Sequence, residues 1–346
     1  MSTRPARHST GGRGHSPASV ENPAMTEEKK TTTNQPSTSN QHIKMNTQKK
    51  TGMAALLATL AMTGATAFGA IDMAMVKVGD AGNTADSTGY GAVSYEYYIG
   101  TYEVTNAQYA AFLNAVAQQS DTYDLYNVSM GNNADYGGIT RSVEFGSGNY
   151  EYTVKEGWGN KPVNYVTFWD AARFTNWLTN GATSGASTET GVYTLGGEKT
   201  PANGSITRNA DAWAAGGFAI ASEDEWYKAA YYNGNDAGTY RMYPVTGTLS
   251  QDNANYYDSS NSGEEYAMPG GTYIADVNQY DYMTGASSFY GTYQQGGNLR
   301  EWNDTLVAAA NIVRGGAFGS SDSGLATSAR STILANVENY YMGFRV

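Results

Sequence analysis

Three long stretches, 119–160, 180–216 and 232–297, are rich in Gly, Asn, Ser and Tyr. Gly loses the most backbone freedom in any regular element, and Asn and Ser compete with it by bonding to their own backbone. A chain with so much of this material folds as a loop-rich domain with few helices. Connections of such length inside a compact domain mark a functional surface or loops organised by an ion. No cysteine occurs in the 346 residues, so no disulfide staples those loops. A sizeable core or bound ions must hold them instead.

The fixed points are three helices with readable starts. Thr105 caps the first, which sets Tyr109, Phe112, Leu113 and Val116 on one face. Thr167 opens the second, with Asp170 supporting the terminus and Ala171, Phe174, Trp177 and Leu178 forming an apolar stripe. Ser222 and Glu225 make a Ser-x-x-Glu capping box for the third, ahead of Trp226 and Tyr227. Strands are expected at 75–78 and 95–104, where aromatic and β-branched residues suit a half-buried pleat. The fold class that follows is α+β, low in regular structure, as one domain over 71–346.

Residues 1–44 carry almost no large apolar side chains and read as a disordered tail or a mis-extended start. Residues 45–70 read as a secretory signal peptide. Lys49 and Lys50 lead a short apolar run from Met53 to Phe68, and Ala65, Thr66 and Ala67 form a small-residue cleavage step. The run is too short, and too diluted by Thr and Gly, for a spanning helix. The mature domain is therefore expected outside the cytoplasm (periplasm, cell surface or medium), with no integral membrane span.

Removing 1–70 takes 8 Lys/Arg and 3 Asp/Glu from totals of 21 and 32, leaving 13 and 29, a net charge of −16. So acidic a domain repels nucleic-acid phosphates and favours divalent cations. The same removal takes His8, His15 and His42, which are all of the histidines. Chemistry in 71–346 must run on carboxylates, hydroxyls, amides, aromatics or an oxygen-held ion, without thiols or imidazoles.

Six segments, in order and spanning nearly all of 71–346, carry a family resemblance. They are Tyr98-Ile99-Gly100-Thr101-Tyr102-Glu103-Val104-Thr105-Asn106, Pro162-Val163-Asn164-Tyr165-Val166 and Ala221-Ser222-Glu223-Asp224-Glu225-Trp226. Then come Gly297-Asn298-Leu299-Arg300-Glu301-Trp302, Arg314-Gly315-Gly316-Ala317-Phe318 and Gly343-Phe344-Arg345-Val346. The chain resembles the sulfatase-modifying-factor, or formylglycine-generating-enzyme, family. That resemblance implies a variant C-type-lectin-like fold with two main helices, short antiparallel sheets and long loops. Formylglycine-forming relatives are copper-dependent and use two cysteines after the Arg-Gly-Gly motif. Here Ser320 stands at the first position and the second has no counterpart. Iron-dependent relatives need a histidine cluster, which is also missing. Neither copper nor iron is expected, and Ser320, Ser321, Asp322 and Arg330 are left lining a former active cleft.

The resemblance further assigns Ca²⁺ to the turn at 294–301, through the Gln294 side chain, the carbonyls of Gly297 and Leu299, and the Glu301 carboxylate. Gln stands there where the family has Asn. Hard oxygens on a glycine-rich turn suit this ion; the competing reading gives Glu301 backbone amides or an arginine. A second calcium would use Asn255 and Tyr256. Ser320, Ser321 and Asp322 have no base in evidence, so a serine nucleophile is not expected. Tyr123, Tyr126, Tyr136, Tyr150 and Tyr152 in the first long loop, and Tyr256, Tyr257, Tyr266, Tyr273, Tyr280, Tyr282, Tyr290 and Tyr293 in the last, sit among Asn, Ser and Gly, a composition suited to recognition. The functional expectation is a non-catalytic, calcium-stabilised domain that binds glycan or an extracytoplasmic protein. An oxidase with other ligands, or a structural envelope component, are the alternatives.

Overall fold

The computed structural model describes residues 41–43, 71–236, 238–268 and 273–346. All of them fall in one compact unit, 38–346. Apart from 41–43, the tail expected at 1–44 lies outside the described residues, as does the signal peptide expected at 45–70.

The first sheet runs β1 (Gln41–Ile43), β2 (Met73–Val78), β3 (Tyr97–Gly100), antiparallel, with Val76 opposite Ile99 and Lys77 opposite Tyr98. β3 is shorter than the expected 95–104 because the chain changes partners at its end. Thr101 N–H still reaches Ala74 O at 2.8 Å, but Val104 N–H bonds Phe344 O at 2.9 Å and Val104 O accepts Val163 N–H at 2.9 Å. Backbone groups that leave a ladder must be satisfied elsewhere. Here distant segments satisfy them.

All three expected helices start at their expected caps. α1 (Asn106–Val116) opens on a capping box of Thr105 with Gln108. A one-turn helix, α2 (Ser129–Asn132), and a hairpin of β4 (Ile139–Val143) with β5 (Tyr150–Val154) then occupy the first long stretch. α3 (Phe168–Thr179) opens on Thr167 with Asp170. A short α4 (Ala210–Ala214) precedes α5 (Glu223–Tyr231), which opens on Ser222 with Glu225. A two-residue pairing of β6 (Tyr232–Asn233) with β7 (Thr239–Tyr240) follows. The last sheet contains β8 (Arg300–Val307), β9 (Ala310–Arg314), β10 (Ser331–Leu334) and β11 (Met342–Gly343) in the order β10-β9-β8-β11. A single turn, α6 (Asp322–Leu325), lies between β9 and β10.

The core forms where α1 meets α3. Phe112 lies 5.5 Å from Phe174 and 5.3 Å from Trp177. Phe344, from the last segment, reaches Phe174 at 5.5 Å. These side chains are fully buried, so trimming Phe112 or Phe174 to Ala should cost about 3–5 kcal/mol. Among the described residues, no helix is long and apolar enough to cross a membrane.

Candidate functional site

The turn that leads into β8 gathers two carboxylates and one arginine away from water. Gln294 and Asn298 have φ of 55° and 54°, and Gly297 has 90°. A Cβ on Gly297 would meet Asn255 O at 2.1 Å, so only glycine fits both the angle and the approach. Glu301 is fully buried. Arg345 donates from Nε to its Oε2 at 2.6 Å and from Nη2 to its Oε1 at 2.7 Å, while Trp226 Nε1 donates to Oε2 at 2.7 Å. Arg345 also donates to three backbone carbonyls, Gly100 O at 2.9 Å, Thr101 O at 3.2 Å and Tyr293 O at 2.9 Å. A second buried carboxylate, Glu103, accepts from Asn298 Nδ2 at 2.8 Å and Leu299 N–H at 3.1 Å. Burial, and then repulsion from Glu301, holds Glu103 well above the ordinary carboxylate range.

Asn255 belongs to this same cluster. Its Nδ2 donates to Asn298 Oδ1 at 3.0 Å and Tyr273 O at 2.9 Å, and its carbonyl accepts Asn298 N–H at 2.8 Å. Tyr256 is buried with Ala254 and Leu325, and its carbonyl accepts Gln251 Nε2 at 3.2 Å. Gln294 donates from Nε2 to Asp276 O at 2.6 Å, but its Oε1 is buried with no hydrogen-bond partner. That oxygen is the one the resemblance gives to calcium. Two buried carboxylates also face a single guanidinium here, an imbalance that a cation or a proton offsets. Glu301 carries the arginine that the competing reading gave it, so of the four residues Gln294, Gly297, Leu299 and Glu301 it is the unpartnered Gln294 Oε1 that a hard cation would satisfy. Among the described residues no three of His, Cys, Asp and Glu group as metal ligands.

The four residues expected to line a cleft, Ser320, Ser321, Asp322 and Arg330, do not act together. Ser320 Oγ accepts Ala317 N–H at 3.0 Å, and its carbonyl accepts Tyr257 N–H at 2.9 Å. Ser321 and Asp322 are exposed. Ser321 Oγ meets Ser323 Oγ at 2.9 Å, and Asp322 accepts Ser323 N–H at 2.6 Å. Arg330 instead joins an ion network. Glu223 Oε1 accepts from Arg314 Nε at 2.9 Å, Arg314 Nη2 at 2.5 Å and Arg330 Nε at 2.7 Å, and Oε2 accepts Arg330 Nη2 at 2.9 Å. The Tyr90 ring lies 4.8 Å from the Arg314 guanidinium and 5.3 Å from that of Arg330.

A row of rings links the 257 segment to the end of the chain. Tyr257 meets Tyr266 at 5.1 Å, Tyr266 meets Tyr273 at 4.9 Å, and Tyr273 meets Tyr136 at 5.5 Å. Tyr136 stacks on Tyr340 at 4.5 Å, and Tyr340 meets Tyr341 at 5.1 Å. Buried Phe318 backs the middle, between 5.6 and 6.2 Å from Tyr136, Tyr273 and Tyr340. Tyr266 and Tyr340 are 41% and 38% exposed, and the other four tyrosines are half-buried. Beside Tyr266 and Tyr273 opens a groove of about 540 Å³, lined also by Gln251, Asp252, Asn261, Glu264 and Glu265. Other loop tyrosines serve the scaffold. Arg141 sits 4.7 Å from the Tyr126 ring and 4.6 Å from that of Tyr150, and Arg173 lies 4.2 Å from the Tyr123 ring.

Residues 63–346 match the model of the sulfatase-modifying factor enzyme 1-like domain. The chain belongs to this family. Among solved structures, this sulfatase-modifying-factor domain is similar to Treponema denticola variable protein 1, at 19% identity over 82% of this chain and 97% of that one, with a TM-score of 0.47. It is similar also to CarF, at 19% identity over 79% and 97%, with a TM-score of 0.49. PvdO from Pseudomonas aeruginosa matches at 15% identity over 80% and 93%, with a TM-score of 0.42. No curated protein matches the chain. The few helices, small sheets and long loops are the α+β fold of the sulfatase-modifying-factor domain. This member has no cysteine.

Two parts of the site of this sulfatase-modifying-factor domain escaped the sequence reading. Glu103 lies within 95–104, where aromatic and β-branched residues predict a strand. An acidic residue among aromatic and β-branched neighbours was the only hint of a buried charge. Tyr340 and Tyr341 complete the ring row from a segment that carried no other recognition signature.

Proposed function

We propose that this sulfatase-modifying-factor domain is an exported, non-catalytic glycan-binding module. The tyrosine row is its binding surface, and calcium in the turn at 294–301 supports the loops behind it. The observation that carries this reading is the contiguous row of partly exposed rings beside a groove of amides and carboxylates. Sugar rings lay their apolar faces on aromatic side chains, and their hydroxyls bond to just such polar groups. The absence of cysteine anywhere, and of histidine after His42, removes the soft and imidazole donors on which oxidative members depend.

The test is retention of the protein on the polysaccharide fraction of the host's cell envelope, in calcium and in chelator. Tyr340→Ala and Tyr266→Ala should each reduce retention at least tenfold while leaving the melting temperature within a few degrees. Retention that is unchanged in both variants sinks the reading. Retention that survives enzymatic removal of the glycan would assign the surface to a protein partner instead. Export is checked separately by N-terminal sequencing of protein from fractionated cells, with a start at residue 68 or 71 expected.

A further inference from the structure

Three arginines line one small cavity at the end of the four-stranded sheet. Arg300 opens β8, Arg314 closes β9 and Arg330 immediately precedes β10. Together with Gly315, Gly316 and Ser331 they line a cavity of about 80 Å³. One water needs roughly 10–15 Å³ of such space, so a small oxyanion fits and a sugar ring does not.

The charge around this cavity is unbalanced. Among the described residues, Glu223 is the carboxylate bonded to these arginines, and it serves Arg314 and Arg330. Asp224, next to it, accepts Gly91 N–H at 2.8 Å. Glu301, opposite Arg314 in the ladder, is held by Arg345. Arg300 bonds to no carboxylate among the described residues; its guanidinium lies 5.4 Å from the Tyr341 ring. Arg330 keeps 26% of its side chain exposed, and its Nη1 donates to no described residue. Arg314 and Arg330 turn to Glu223 on one face of the sheet, and Arg300, beside Glu301 in the ladder, lies on the other face, so in a domain of net charge −16 Arg300 is the guanidinium at this cavity left without a counter-charge. Arginine forks match the oxygens of carboxylate, sulfate and phosphate groups. Tyr341 joins Arg300 directly to the tyrosine row.

We infer that the Arg300 end of the row is an oxyanion site, and that the glycan bound there is acidic. The shared chemistry is a sugar bearing a uronate carboxylate or a sulfate or phosphate ester. The ligand class rests on the glycan-binding reading, whereas the anion site is tested independently of it.

The first probe is inorganic sulfate at millimolar concentration and constant ionic strength, read as a shift in the melting temperature of the whole chain against chloride. Low concentration keeps sulfate's general salting-out effect small. Wild type should be stabilised by sulfate over chloride, Arg300→Gln should bind sulfate about tenfold or more weakly, and Arg300→Lys should recover part of the loss. Arg330→Gln asks in addition whether the guanidinium that Glu223 already engages contributes to the same site. Beads carrying polyuronate, sulfated polysaccharide and neutral polysaccharide then separate the sources of the anion. Retention on one acidic bead that falls in Arg300→Gln supports the site and names its anion. Identical sulfate shifts in wild type and both Gln variants overturn it, as does equal retention on acidic and neutral beads. If Tyr340→Ala keeps both the sulfate shift and full bead retention, the tyrosine-row reading fails while the anion site stands.

Discussion

Removing the Arg345 side chain isolates the energetics of the buried turn. In Arg345→Met, Glu301 loses two charge-assisted bonds of 2.6 and 2.7 Å, and three backbone carbonyls lose a donor. Breaking a buried pair from one side costs about 3–5 kcal/mol. Stranded carbonyls add to this, so a loss of roughly 4–6 kcal/mol is expected. That is a large part of the 5–15 kcal/mol, roughly, that holds a typical domain. Glu301→Gln should be milder, because Glu103 remains beside Arg345. With Glu301 neutral, burial still raises Glu103 but the repulsion that adds to it is gone. Arg345 also keeps its backbone partners and one buried carboxyl nearby, for a net cost of about 2–3 kcal/mol. The double variant, with Met at 345 and Gln at 301, should cost less than the two single changes together, with a coupling of about 2 kcal/mol. Urea denaturation of the four proteins measures every term. Equal costs for the single variants, or additivity within about 0.5 kcal/mol, would refute the account of two carboxylates sharing one arginine.

Three further outcomes follow from the same physical reasoning. Burial pushes Asp170 from 3.8 up to about 7, Glu338 adds to the rise, and bonds from Thr167 and the charge of Arg173 oppose it. A carboxyl raised by folding stabilises below its unfolded value, and that contribution is lost as pH climbs through the folded one. Wild type should therefore lose up to about 4 kcal/mol between pH 4 and 7 relative to Asp170→Asn, and a flat difference in urea stability across that window contradicts this. Gly297→Ala combines a φ of 90° with an approach of 2.1 Å to Asn255 O. It should cost about 3 kcal/mol or more, with a marked fall in soluble yield, whereas a wild-type melting curve would mean that the turn is not tight. If calcium fills the turn, free ion at a hundred times its Kd should add about 2.7 kcal/mol, and chelator should remove it. No change in melting temperature with chelator would count against the ion.

Much of the scaffold was legible because local chemistry marks it. Thr105, Thr167 and Ser222 are N-caps whose partners lie three residues away, and all three helices begin where those pairs place them. Of the six tryptophans, which their motif contexts mark as core, Trp169, Trp177, Trp226 and Trp302 are buried, whereas Trp158 and Trp213 are only half-buried. The first long stretch reads as loop because its hairpin is broken by a turn in which Gly146 and Gly148 have φ of 95° and 75°. Glycine there marks a reversal of direction, not a lack of strands. Glu103 was opaque for a different reason. Whether an acid is buried depends on who neutralises it, and its partners Asn298 and Leu299 are nearly two hundred positions away. The tyrosines split in the same manner. Those whose rings face an arginine within the scaffold, such as Tyr126 and Tyr150, cannot be told by composition from Tyr266 and Tyr340, which face solvent.

The bonds that close the turn also govern the order of events during folding. Asn298 reaches Glu103 across 195 positions, and Arg345 reaches Gly100 across 245. Contacts of such separation reward the chain only after the entropy of closing very large loops has been overcome, so they form late. The helices can nucleate early on their own caps, while the guanidinium acts as a clasp drawn shut at the end. A chain in that interval holds two carboxylates with no counter-charge and a sheet still missing β11. Refolding should therefore be slow, and Arg345→Met should act chiefly by hastening unfolding, with little effect on the folding rate.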